Sequence, residues 1–134
     1  MVRVRTPPGE KPLHWVGASK RDLMAMPEAV IRQVGMALSV AQHGGKHPDA
    51  KAWKGLGPGV FEVVSDFDSN AFRAAYVVRF EKAIYVLHCF QKKSPSGIRT
   101  AKTDVDLIEH RLKVAAADYK ERYAPKDTQQ GSRS

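Results

Sequence analysis

The chain has 134 residues, 43% hydrophobic and 27% charged, the make-up of one globular domain able to bury about two-thirds of its unfolded surface without a disulfide or metal. Its 22 Lys and Arg against 14 Asp and Glu leave a formal charge of +8, which favours polyanionic partners: nucleic acid, ribosome or acidic membrane. A single cysteine excludes an intrachain disulfide, and the lack of any apolar run near about 18 residues, or of an apolar segment in MVRVRTPPGE, leads us to expect a cytoplasmic chain with neither signal peptide nor membrane span.

Residues 1–10 hold two prolines and alternate Val with Arg, a flexible arm ahead of one domain over 11–124. LHWV at 13–16 is a short first strand. Ser19 and Asp22 form a capping-box pattern that starts a brief helix. Pro27 suits the first turn of a second helix, whose apolar face is Val30, Val34, Leu38 and Ala41, widened by Ile31 and Ala37, and which Gly44 and Gly45 stop. Residues 46–59, rich in Gly and Pro around Trp53 and Lys54, read as a loop. Three strands follow at 60–65, 71–80 and 83–91, joined by the turn chemistry of DFDSN and a short break after Phe80. Thr103 and Asp106 repeat the capping pattern before a helix striped by Val105, Ile108, Leu112, Ala115 and Tyr119. The polar stretch 125–134 reads as a disordered tail. The order β-α-α-β-β-β-α predicts an α+β fold, a mainly antiparallel sheet with its helices packed on one face.

Strand alternation sorts the side chains. Arg73, Ala75, Val77 and Arg79 share one face of the middle strand, opposite the apolar Phe72, Ala74, Tyr76, Val78 and Phe80. In the next strand His88, Phe90 and Lys92 share a face, with Leu87, Cys89 and Gln91 behind them. The segment 82–103 carries five Lys and Arg and no acid. With Lys54, Arg73 and Arg79 it predicts a concentrated cationic site for a phosphate-bearing partner, RNA above all. Neighbouring cations lower a lysine's pKa towards values useful for proton transfer and stabilise charge on a phosphorane-like transition state. His88 is the one histidine on that face, either as a satisfied core residue or as a participant. Cys89, on the opposite face from His88, reads as a small buried hydrophobe.

Other patterns carry less. The helix break between His43 and His47 argues against a metal site, and zinc would need further ligands. Asp66 and Asp68 belong to turn chemistry. Gly55, Gly57 and Gly59 precede a strand, not a helix, and lack the G-K-[ST] of a phosphate loop. Ser94 and Ser96 have no His/Asp arrangement.

K-G-L at 54–56, Phe72-Arg73, L-H-x-F-x-K-K at 87–93 and a following T-x-K loop and helix, in that order, resemble the phage-related HigB-like branch of the RelE toxin superfamily over roughly residues 10–120. The resemblance implies a RelE-like fold and the toxin of a type II toxin-antitoxin system. Such a toxin is a metal-independent, cofactor-free endoribonuclease that cuts mRNA on the ribosome. The 2′-hydroxyl attacks the adjacent phosphate to leave a 2′,3′-cyclic phosphate and a 5′-hydroxyl, and a cognate antitoxin, typically a helix-turn-helix protein, silences the enzyme. Lys54, Arg73 and the Lys92/Lys93 pair match the recurrent basic positions. Arg73, Lys92, Lys54 and His88 are thus the expected catalytic set, and Arg79, Phe90, Lys93, Arg99 and Lys102 the expected RNA contacts, Phe90 holding a base. Where many members place a tyrosine or an acid–histidine set near the C-terminus, this chain offers His110, Tyr119 and Tyr123. The rival expectation is a non-catalytic nucleic-acid- or antitoxin-binding module.

Overall fold

A computed structural model describes residues 9–92 and 100–124, so that most of the arm and the tail at 125–134 lie outside the described residues. The elements run β1 (Leu13–Trp15), α1 (Ser19–Met24), α2 (Glu28–Gln42), β2 (Ala50–Ala52), β3 (Val60–Phe67), β4 (Asn70–Val77), β5 (Ile84–Lys92) and α3 (Lys102–Arg122). The strands form one sheet in the order β1-β5-β4-β3-β2. β2 to β5 pair antiparallel and β1 pairs parallel with β5, so the sheet is mixed though mostly antiparallel. The predicted order is corrected by one element. A three-residue strand, β2, lies inside the segment read as loop, because Ala50 to Ala52 complete an edge ladder on β3 and are too few to show a period.

The predicted one-sided packing is also corrected. Leu23 of α1 and Val30, Val34, Ala37, Leu38 and Ala41 of α2 form one core with Val63, Ala74, Tyr76, Ile84, Val86 and Cys89. Ile108 and Ala115 of α3 form a second with Val60, Ala75, Val77, Tyr85, Leu87 and Phe90. Alternate residues of the same strands enter the two clusters, so helices cover both faces of the sheet. β5 shows why: seven consecutive residues, Ile84 to Phe90, are all buried, which a strand with one solvated face would not allow.

Local chemistry closes the elements. α2 ends in a Schellman arrangement, Gly45 N–H donating to the Val40 carbonyl at 2.9 Å and Gly44 N–H to Ala41 at 3.0 Å, with Gly44 at φ 88°. Asp68 and Ser69, at φ 52° and 67°, make the two-residue turn between β3 and β4. Neither predicted capping box forms. Ser19 is fully buried and its hydroxyl donates to the Val86 carbonyl on β5, while Asp106 pairs with Lys102 one turn back. A tertiary partner has taken Ser19 from its helix end, and an i,i+4 pair within α3 has taken Asp106.

The register of β5 breaks once. Ala75 opposes His88 but Tyr76 opposes Val86, leaving Leu87 as an extra residue. This β-bulge puts Leu87 on the α3 side with Tyr85, and after it His88, Phe90 and Lys92 take that side. Leu87 therefore does not share a face with Cys89 and Gln91, a correction to simple alternation. The Arg111 guanidinium donates to the Leu87 carbonyl at 2.9 Å, satisfying the group that the bulge removes from the ladder.

Candidate functional site

On the α3 side, β3, β4 and β5 bring an acid and two cations together. Glu62 opposes Ala75 and Val64 opposes Arg73, so Glu62 and Arg73 are diagonal neighbours on adjacent strands. Arg73 Nη1 lies 3.0 Å from Glu62 Oε1, with side chains only 14% and 17% exposed. The same Nη1 donates to the Thr100 hydroxyl at 2.8 Å, tying the residues before α3 to β4. Arg73 Nε and Glu62 Oε1 are buried without a hydrogen bond among the described residues, so the pair leaves hydrogen-bonding capacity unused. These groups open on a cleft of about 480 Å3, whose lining includes Trp53, Lys54, Glu62, Arg73 and Thr100.

Two residues of β5 share this sheet face without lining the cleft. Lys92 opposes Ala71 and is buried; burial, then the Arg73 charge, holds its ammonium below the ordinary lysine range, while Glu62 pulls it back up. His88 is stacked on Phe90, ring centroids 4.5 Å apart, and its Nε2–H donates to Asp104 Oδ1 in the first turn of α3 at 2.8 Å. A carboxylate only accepts, so this contact sets the histidine's tautomer. Nδ1 is buried without a partner among the described residues. Without the bulge at Leu87, His88 would face α1 and α2 instead.

The predicted site residues divide. Arg73, Lys92 and His88 share one sheet face, and Lys54 stands exposed at the rim of the same cleft. Arg79 lies past the end of β4. Its guanidinium donates to the Leu56 carbonyl at 2.9 Å and packs over Gly57, so it clamps the loop that carries Lys54. Phe90 is buried, one ring face taken by His88, and is part of the α3-side core, which leaves no open face for a base. Lys102 is exposed and held by Asp106 at 2.9 Å. Lys93 and Arg99 lie outside the described residues.

Sequence reasoning missed Glu62, Thr100 and Asp104. The one available signal was Glu62 itself, an acid set between Val60 and Val64 on one face of a largely apolar strand. Asp104 and Thr100 gain their meaning only from the packing of α3.

At the far end of α3, a second concavity of about 210 Å3 is lined by His14, Tyr85, Asp118 and Arg122 among others. Its groups satisfy one another. The Tyr85 hydroxyl donates to Asp118 Oδ2 at 2.5 Å, Arg122 Nε donates to the same oxygen at 3.0 Å, and His14 Nε2 lies 2.7 Å from the Tyr123 hydroxyl. Among the described residues no group of three or more His, Cys, Asp or Glu is placed to hold a metal ion, and no helix is long and apolar enough to cross a membrane.

The family model described as "Phage derived protein Gp49-like (DUF891)" matches residues 21–113, more than half of the chain, a span that includes every strand but β1 and the whole charged cluster. No curated protein matches the chain.

Proposed function

The chain belongs to the phage-derived Gp49-like family, a toxin-like family related to RelE- and HigB-type toxins, and on that premise we propose that it is a ribosome-dependent mRNA endonuclease held in check by a cognate antitoxin. The observation that carries the reading is the cluster of Glu62, Arg73 and Lys92 beside an open cleft rimmed by Lys54. Glu62 takes the proton of the RNA 2′-hydroxyl. The freed oxygen attacks the adjacent phosphorus, and the bond to the 5′-oxygen breaks as Lys92 gives that oxygen a proton. The products are a 2′,3′-cyclic phosphate and a 5′-hydroxyl. Arg73 and Lys54 stabilise the extra negative charge on the non-bridging oxygens. His88, held by Asp104, is a positioning residue that fixes the start of α3 against β5. The lowered lysine pKa supports the acid role, since a less basic ammonium releases its proton more readily.

Expression alone should arrest growth and cut mRNA within codons, and co-expression of a cognate antitoxin should relieve both. Arg73→Ala and Lys92→Ala should each lower the cleavage rate roughly a hundred- to a thousand-fold. Products ending in a 5′-phosphate would contradict 2′-hydroxyl attack. The second reading, a non-catalytic nucleic-acid- or antitoxin-binding module, draws on the fact that Glu62 already occupies Arg73. It predicts unaltered growth and intact transcripts at high expression.

A further inference from the structure

With Phe90 buried, the cleft needs another surface for a base, and Trp53 is placed to supply it. Its backbone N–H donates to the Val60 carbonyl at 2.8 Å, fixing the residue to the start of β3. Its half-buried side chain packs on the edge of the α3-side core and lines the same cleft as Lys54, Glu62 and Arg73. The ring stacks on no other aromatic ring among the described residues, unlike His88 with Phe90 or Phe80 with Tyr119. The loop that follows is braced at two points, Arg79 on the Leu56 carbonyl and Val78 N–H on the Gly59 carbonyl at 2.7 Å. A rigid aromatic beside two cations in an open cleft is the pairing that recognises single-stranded nucleic acid, cations tracking the backbone and the ring stacking a base.

We propose that Trp53 is the base-stacking platform of this cleft, holding the nucleobase next to the phosphate bound by Arg73 and Lys54. The inference rests on the nuclease reading for the identity of the ligand as RNA and adds the residue that reads it. Stacking on one ring tolerates any base, so Trp53 supplies grip and alignment more than base identity.

The test uses a 2′-O-methyl oligoribonucleotide, which 2′-hydroxyl attack cannot cleave, and a matched oligonucleotide with abasic positions. Trp15→Phe removes the only other tryptophan and leaves Trp53 as the fluorophore. We expect emission to be quenched by the base-bearing strand and much less by the abasic one. Binding of a labelled base-bearing strand should weaken roughly 5- to 150-fold in Trp53→Leu and stay near wild type in Trp53→Phe, which keeps an aromatic face. Abasic binding should be the same in all three proteins, a readout that unfolding would not leave intact. Equal quenching by the two strands, or unchanged base-bearing affinity in Trp53→Leu, overturns the inference. If wild type arrests growth and Trp53→Leu does so equally, stacking falls while the nuclease reading stands. If wild type neither arrests growth nor cuts mRNA, yet base-dependent quenching persists, stacking stands and the nuclease reading falls.

Discussion

Arg73→Met isolates the energetics of the cleft from its chemistry. Across 3.0 Å the attraction between Arg73 and Glu62 is about 5 kcal/mol at an effective dielectric of about 20, and it is set against a desolvation cost of several kcal/mol for each ion. The pair is therefore close to neutral for stability while both members are present. Removing the arginine leaves the desolvation cost of the Glu62 carboxylate opposed only in part, by the Lys92 charge. A fully buried orphan costs about 3–5 kcal/mol. Glu62 retains 17% of its side-chain exposure and the Lys92 charge still acts on it, so a loss of about 1–3 kcal/mol is expected. Glu62→Gln in the same chain removes the orphaned charge, and the double variant should recover most of that loss, a coupling of at least about 1 kcal/mol. Cleavage should not recover, because the double variant lacks both the proposed base and the phosphate-binding cation. Urea unfolding of the four proteins, with constant m-values, supplies the cycle, and mRNA cleavage in a translating extract supplies the activity. Additive stabilities would refute the ion pair as an energetic unit, and an active double variant would refute its place in the reaction.

Gly59→Ala should cost at least about 1–3 kcal/mol, because Gly59 sits at φ 79° and an added Cβ would lie 2.8 Å from Arg79 Cβ and 2.9 Å from its backbone nitrogen; thermal or urea unfolding reads the loss. Cys89 should resist alkylation in the native protein at pH 8 and react only after unfolding, since burial pushes its thiol up to about 12 and leaves almost no thiolate. Hydrogen bonds from Arg122 and then Tyr85 hold the Asp118 carboxyl below its ordinary value of 3.8, so its contribution to stability is complete above that pH and is lost as pH falls through the lower folded-state value. Melting temperature followed below pH 4 should therefore fall less steeply in Asp118→Asn than in wild type, and parallel curves would remove Asp118 from the acid response. Affinity for single-stranded RNA should fall with salt by about 0.7 log units per log unit for each phosphate neutralised, and a flat response would assign the +8 charge to solubility alone.

Periodicity alone located α2 by its Val30/Val34/Leu38/Ala41 stripe and α3 by Ile108, Leu112 and Ala115, since amphipathic spacing survives whatever partner covers the face. The β3–β4 hairpin was equally plain from DFDSN, because positive φ at two successive positions is a local demand on residue type. The shared face of Arg73, His88, Phe90 and Lys92 also followed from counting along strands. The count succeeded for a reason it did not contain: it began at His88, beyond the bulge, and failed one residue earlier at Leu87. A bulge is decided by what both faces of the strand pack against, and no residue type marks it here.

Tertiary structure decided the rest. β1 joins β5 in parallel, a pairing between residues some seventy positions apart that a three-residue strand cannot announce. Helices cover both faces because β5 is buried on both from Ile84 to Phe90, and the largely apolar run at 83–90 carried that information only in company with a helix free to cover it. The same closure by α3 sealed Phe90 and placed Asp104 on His88. It left Trp53 at the cleft, so the aromatic that meets a ligand is fixed by which ring the last helix covers. Charge and alternation, which are local, determined that a cationic face exists. Which of its groups are paired, buried or open depends on long-range packing, and that is a property of the folded chain alone.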